Sequence, residues 1–131
     1  MAKAIHTMIR VLDTARSIDF YRAAFGLEPV HALDYPDFCL TYLRNAEADF
    51  EVELTENKGR AEAYALGNGY GHLAVCVEDL ASERARMVAA GLNPGDIKAM
   101  THGETVAARF FFVSDPDGYR IEVLERFGHY R

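Results

Sequence analysis

Four side chains stand out for the chemistry that their types and order permit: His6, Glu53, His72 and Glu122. Imidazole nitrogens and carboxylate oxygens are the donors that first-row divalent cations take, and two carboxylates offset a +2 charge. Four protein donors leave one or two positions for water or substrate oxygens, which a catalytic site needs and a structural one does not. A single strand histidine or glutamate is more often a surface or hydrogen-bonded residue. These four are set apart by their recurrence. His6-Thr-Met-Ile-Arg-Val-Leu-Asp13 runs beside His72-Leu-Ala-Val-Cys-Val-Glu-Asp79, at an offset of 66 (72 − 6). Phe50-Glu-Val-Glu53-Leu-Thr matches Tyr119-Arg-Ile-Glu122-Val-Leu, at an offset of 69 (122 − 53). Between these segments both halves pass through helical patterns that finish in small residues and Gly-Leu, at Gly26-Leu27 and Gly91-Leu92. Each half opens with a histidine and closes with a glutamate, as an internal repeat would. His31, His102 and His129 do not share this placement; the first two read as lying near loops and the third in the tail, with surface roles.

The elements that must position the four residues follow from the same pattern. Each half reads as a strand, a helix and three strands. In the first, residues 4–11 form a strand, and Asp13 is suited to cap a helix by accepting an orphan backbone N–H. Ile18, Tyr21 and Phe25 recur at helical spacing, and Gly26 ends the helix. Strands are expected at 27–33, 38–43 and 50–55. In the second half a strand at 72–77 leads to a helix at 79–90 stopped by Gly91, then strands at 93–100, 106–113 and 119–124. Asp115-Pro-Asp-Gly118 is a strong turn signal before the last of these. Strand side chains alternate between faces, so parity decides direction. Thr7, Ile9 and Val11 oppose His6, Met8 and Arg10; Val52 and Leu54 oppose Glu53 and Thr55. Val75 and Val77 oppose His72 and Cys76, and Ile121 and Val123 oppose Glu122. The apolar faces are expected against the helices, with all four candidate ligands on the other face. The fold class is therefore α+β: two tandem βαβββ modules whose curved sheets surround a metal cleft. Residues 1–131 read as one domain, with repeats 4–56 and 71–126 joined by a polar connector at 57–70 that has room for one short helical turn.

Composition narrows the partners. The chain has 131 residues, half of them apolar, with eight Phe and seven Tyr. Its net charge of −6 discourages nucleic acid and anionic membranes. No run approaches the roughly 18 consecutive apolar residues of a membrane helix, and the start of the chain lacks the apolar stretch of a secretion signal. Cys39 and Cys76 lie in apolar strand segments and read as buried reduced thiols. A cytoplasmic location is expected.

The motifs His6-Thr-Met-Ile-Arg10-Val, Arg16-Ser-Ile-Asp-Phe-Tyr21, Glu53-Leu-Thr-x-Asn57, Gly69-Tyr-Gly-His72 and Asp115-Pro-Asp-Gly-Tyr-x-Ile-Glu122 together resemble glyoxalase I (lactoylglutathione lyase), of the vicinal oxygen chelate superfamily. The resemblance spans roughly residues 4 to 125. It implies paired βαβββ modules and one divalent metal ion per site held by His6, Glu53, His72 and Glu122. Nickel or zinc comes first, and cobalt or manganese also falls within the chemistry of such donors. It implies a homodimer in which each site takes His6 and Glu53 from one chain and His72 and Glu122 from the other. The implied substrate is the hemithioacetal of methylglyoxal and glutathione, and the product S-D-lactoylglutathione. Glu122 is the first choice as base, with Glu53 serving the opposite face. Arg10, four residues along the face of His6 and so roughly 13 Å away at ~3.3 Å per residue, matches a glutathione-contacting position, as does Asn57.

One departure stands out. His102 occupies the loop 98–105 where a lysine is expected to hold the glycine carboxylate of glutathione; Lys98, Arg109 and Arg126 are the available substitutes. The rival readings are another metal-dependent enzyme of the superfamily, such as an epimerase, a dioxygenase or one using a different thiol, and a non-catalytic ligand-binding module. The second glutamate at position 53 argues against a two-His, one-Glu dioxygenase. The complete set of four ligands argues against the binding module.

Overall fold

The structure, a computed structural model, describes residues 1–131. The chain forms two compact units, Met1–Ala65 and Leu66–Arg131. The first contains β1 (His6–Arg10), α1 (Thr14–Phe25), β2 (Glu28–Asp34), β3 (Phe38–Arg44) and β4 (Glu51–Asn57). Its sheet has the order β1-β4-β3-β2; β1 runs parallel to β4 and the other pairs are antiparallel. The second contains β5 (Leu73–Val77), α2 (Leu80–Ala89), β6 (Lys98–His102), β7 (Thr105–Ser114) and β8 (Arg120–Glu125), in the order β5-β8-β7-β6. Both units are therefore βαβββ modules, and in each the last strand slots between the first and the third.

The helices begin and end for local reasons. The Asp13 carboxylate accepts the Arg16 N–H at 3.0 Å, and Asp79 accepts the Ser82 N–H at 2.9 Å. Gly26 closes α1 at φ 63°, a left-handed conformation that costs glycine little, and its N–H reaches the Arg22 carbonyl at 2.9 Å. The buried stripe of α1 is Ser17, Phe20, Tyr21 and Ala24, rather than the expected Ile18, Tyr21 and Phe25. Small Ser17 and Ala24 give the helix a flat face on which the two rings between them can be buried.

Strand parity behaves as expected on the apolar side of three strands, while on β5 Val75 and Val77 are only half-buried. Ile9 and Val11, Val52 and Leu54, and Ile121 and Val123 are all buried, each worth about 1.5–3 kcal/mol if fully removed from water. On β4 the polar side is buried too: Glu53 is 8% exposed and Thr55 9%. A central strand is covered on both edges, and the carboxylate has lost most of its water.

Several boundaries differ from the sequence reading. The strand expected at 93–100 begins only at Lys98. Asn93 sits at φ 53°, Pro94 has no N–H to donate, and Gly95 donates its N–H to the Phe112 carbonyl at 2.8 Å while its own carbonyl accepts from Arg84 Nε at 2.7 Å. His102 consequently ends β6, paired with Thr105. His31, expected beside a loop, lies within β2 opposite Tyr42. His72 precedes β5 by one residue. The connector carries hydrogen-bonded turns and no helix; the Arg60 guanidinium lies 3.9 Å over the Tyr64 ring there. Both cysteines are unpaired and half-buried. Cys39 approaches the Glu56 carboxylate at 3.6 Å, which also accepts the Thr14 hydroxyl at 2.9 Å. No helix is long and apolar enough to cross a membrane.

Candidate metal centre

In the first unit the parallel register places Met8 opposite Glu53 and His6 opposite Glu51. His6 and Glu53 are thus diagonal neighbours on one face of the sheet, and His6 Nε2 lies 2.9 Å from Glu53 Oε2. The second unit repeats this arrangement. Glu122 pairs with Ala74, and His72 Nε2 lies 3.0 Å from Glu122 Oε2. In both pairs the carboxylate is the more shielded partner: its side chain is 11% or 17% exposed, against 35% or 38% for the imidazole. The chain thus carries two matching half-sites, one per unit, and no three metal-capable side chains cluster together.

The donor atoms suit a cation. Each imidazole nitrogen and carboxylate oxygen stand within hydrogen-bond distance, 2.9 and 3.0 Å, so a small adjustment would let both reach one ion at the roughly 2.0–2.2 Å that such donors take. All four donors are of the type that first-row divalent ions accept, and the two glutamates supply the balancing charge.

Neighbours that sequence reasoning did not single out complete the first half-site. Glu53 is register partner to Tyr42 on β3. The Thr55 hydroxyl donates to Glu53 Oε1 at 3.3 Å, so the two carboxylate oxygens are divided between Thr55 and His6. Tyr42 packs edge-on to the His6 ring at 5.7 Å and against His31 at 5.8 Å. Burial pushes the Tyr42 hydroxyl above its ordinary pKa, and the charge and hydrogen bonding of Glu53 add to the rise. In the second half-site the register partner of Glu122 is Phe112, edge-on to His72 at 5.2 Å and capped by the Arg120 guanidinium at 4.1 Å. Parity put Thr55 on the site face; only the strand register brings Tyr42 to it.

The turn that delivers Glu122 is itself well held. Asp115, 5% exposed, accepts the N–H groups of Asp117 and Tyr119 on Oδ1, both at 2.9 Å. The Gly118 N–H closes the turn onto the Asp115 carbonyl at 3.0 Å. Further from the metal pairs, Arg10 is exposed at the end of β1, opposite Thr55. Asn57 ends β4, where its side-chain amide donates to the Tyr64 hydroxyl at 3.1 Å. Of the basic residues available to replace the expected lysine, Arg109 is paired with Glu125 at 3.3 Å and Arg126 with Glu78. Lys98 is exposed at the start of β6.

Residues 3–123 match the profile of the glyoxalase/bleomycin resistance protein/dioxygenase superfamily. The chain belongs to this superfamily, and within it to the lactoylglutathione lyase (glyoxalase I) family. It is 40% identical over 129 residues to the lactoylglutathione lyase of Neisseria meningitidis serogroup A, covering 95% of this chain and 91% of that protein. It is also 40% identical over 129 residues to a probable lactoylglutathione lyase of Synechocystis sp., covering 92% and 93%. Among solved structures it is similar to the trypanothione-dependent glyoxalase I of Leishmania major, with 33% identity, a TM-score of 0.77, and coverage of 95% of this chain and 87% of that one. The Zea mays glyoxalase I gives a TM-score of 0.79 at 28% identity, over 96% of this chain and 45% of the plant protein. The family implies a divalent metal and a glutathione-derived substrate.

Proposed function

We propose that the chain is a metal-dependent glyoxalase I that isomerises the hemithioacetal of methylglyoxal and glutathione to S-D-lactoylglutathione. The observation that carries this reading is the repeated His–Glu pair, at 2.9 and 3.0 Å, in a member of the lactoylglutathione lyase family. His6, Glu53, His72 and Glu122 hold one divalent ion, nickel or zinc, with cobalt and manganese also accepted. The working unit is a homodimer, and each site joins the His6–Glu53 half of one chain to the His72–Glu122 half of the other. Reduced cysteines fit a cytoplasmic location.

The bound cation supplies positive charge beside the oxygen on which negative charge develops. Glu122 removes the C1 proton of the hemithioacetal and delivers it to C2, while the proton of the C1 hydroxyl passes to the C2 oxygen, so the net change is an isomerisation between adjacent carbons. A carboxylate positioned beside the reacting carbon is suited to this as a general base. Glu53 serves the opposite face. Arg10 binds a carboxylate of the thiol, and the remaining N–H and carbonyl of the Asn57 amide orient its peptide portion.

A second reading, with a thiol other than glutathione, draws support from two observations. His102 stands where a lysine is expected, and Arg109 and Arg126 are neutralised by ion pairs. In addition, a structurally similar enzyme is described as trypanothione-dependent. Metal analysis of the purified protein, followed by thioester formation from methylglyoxal with glutathione or other thiols, tests both. Stoichiometric metal with glutathione turnover supports the first reading. Turnover with another thiol alone supports the second. A metal-free protein without turnover sinks both.

A further inference from the structure

The sheet face that carries His72 and Glu122 also carries a cation that the metal centre leaves unused. Arg120 lies two residues before Glu122 and pairs with Ser114 at the start of β8. Strand side chains alternate, so the two share one face of the sheet. The Arg120 guanidinium rests 4.1 Å over the Phe112 ring, which itself stands edge-on to His72 at 5.2 Å. No carboxylate of the chain pairs with it. That is unusual in a chain where twenty Asp and Glu outnumber fourteen Lys and Arg, and where Arg22, Arg84, Arg86, Arg109 and Arg126 all hold ion pairs. The repeat does not call for a cation here either. The matching residue of the first unit is Glu51, at the offset of 69 (120 − 51) that also separates the two site glutamates.

Arg120 also lines a cleft of about 120 Å³, together with Gly67, Tyr70, Gly71, Gly118 and Tyr119. The chain itself joins this cleft to the half-site, since Gly71 directly precedes His72. Its three glycines leave backbone open to a ligand, and Tyr70 meets Tyr119 edge-on at 6.3 Å as an aromatic wall. Complete small-molecule sites run to roughly 300–1,000 Å³, so this space takes one end of a ligand. We propose that Arg120 and the cleft form a carboxylate subsite, which seats an anionic end of the thiol portion of the substrate. The inference rests on the proposed function and deepens it. An unpaired guanidinium presents a planar fork of N–H donors that matches a carboxylate. Stacking on Phe112 holds that fork in place, so less freedom is lost when the ligand arrives. The need for such a cation is visible elsewhere in the chain. Glutathione carries two carboxylates; Arg10 is assigned one, His102 stands where a lysine is expected for the glycine end, and Arg109 and Arg126 are already neutralised.

The test is titration calorimetry on the zinc-loaded, full-length protein. The probes are S-methylglutathione, an unreactive thioether, and its diethyl ester, in which both carboxylates are masked. Arg120→Met keeps an apolar stem against Phe112 and removes the charge, while Arg120→Lys keeps the charge without the planar fork. Arg120→Met is expected to raise the Kd of S-methylglutathione about tenfold, and Arg120→Lys to recover part of that loss. The diester should bind all three proteins alike. If Arg120→Met binds the free acid as tightly as the parent, or loses the same factor for the diester, the subsite is overturned and the glutathione reading stands. If the zinc-loaded parent binds neither probe, the glutathione reading fails and the subsite falls with it.

Discussion

Glu122→Gln isolates the chemical step with little structural disturbance. Glutamine keeps the volume of the side chain and one carbonyl oxygen, so the 3.0 Å approach to His72 has a partner of the same shape. The substitution removes the negative charge and the ability to accept a proton. A positioned general base contributes about 10²–10⁴ in rate, which is a barrier increase of about 2.7–5.4 kcal/mol at ~1.36 kcal/mol per decade. The whole of this loss is expected in kcat, because the proposed function assigns the thiol portion to Arg10 and Asn57; KM should change by no more than about threefold. The three remaining ligands should keep the ion at full occupancy when metal is saturating. The assay is the initial rate of thioester formation over a range of hemithioacetal concentrations, with metal content measured on the same samples. Glu53→Gln is the paired control, and its kcat should fall by no more than about tenfold once metal is saturating. A Glu122→Gln enzyme that is fully metal-loaded and keeps more than about a tenth of the parental kcat would refute the assignment. Equal losses in the two variants would refute the asymmetry between the carboxylates.

Other perturbations probe binding and stability. Arg10→Ala should raise KM for the adduct about tenfold with little change in kcat; an unaltered KM would remove Arg10 from the binding site. Asp115→Ala deprives two N–H groups of their acceptor in a buried turn, and urea unfolding should show a loss of about 2–4 kcal/mol. A loss below about 1 kcal/mol would mean that the turn holds without its carboxylate. Asp79 has its pKa lowered, first by the Ser82 backbone N–H and then by the Ser82 hydroxyl. Its stabilising contribution is therefore complete above the ordinary aspartate pKa and is lost as pH falls through the lower folded-state value. The Tm difference between the parent and Asp79→Asn should shrink toward zero in strong acid, and a gap that persists there would contradict the charge-based account.

Much of this was legible in the residues. The repeat located all four candidate ligands, because a histidine opening and a glutamate closing each module survive in order even where other identities are lost. Parity then placed Ile9, Val52 and Ile121 inside and His6, Glu53 and Glu122 on the opposite face. Asp13, Asp79 and the Asp115-Pro-Asp-Gly118 turn announced themselves through local hydrogen-bonding chemistry. What escaped depends on lateral register. Tyr42 meets Glu53 only because β3 is aligned to β4 at that rung, and nothing within either strand specifies the alignment. The late start of β6 has a different origin, since residues 93–97 are Asn-Pro-Gly-Asp-Ile, a run of turn formers that the strand expectation overrode. The left-handed Asn93 and the missing donor of Pro94 leave the Gly95 N–H as the one ladder-like contact there. The stripe on α1 shifted because Ser17 and Ala24 are small enough to sit flush, a steric property that a count of apolar residues does not register.

The sheet order also bears on how the protein is made. In both units the first strand has one hydrogen-bonded neighbour, and that neighbour is the last strand to leave the ribosome. His6 therefore waits 47 residues (53 − 6) for Glu53, and His72 waits 50 (122 − 72) for Glu122. Until the closing strand zips in, the opening strand is an unpaired edge and the imidazole has no carboxylate beside it. Completion of the fold and creation of the His–Glu contact are one event. On the proposed ligand assignment, a nascent or nicked module that has lost its final strand offers a metal only a solitary histidine, so tight uptake would be confined to chains that have finished folding.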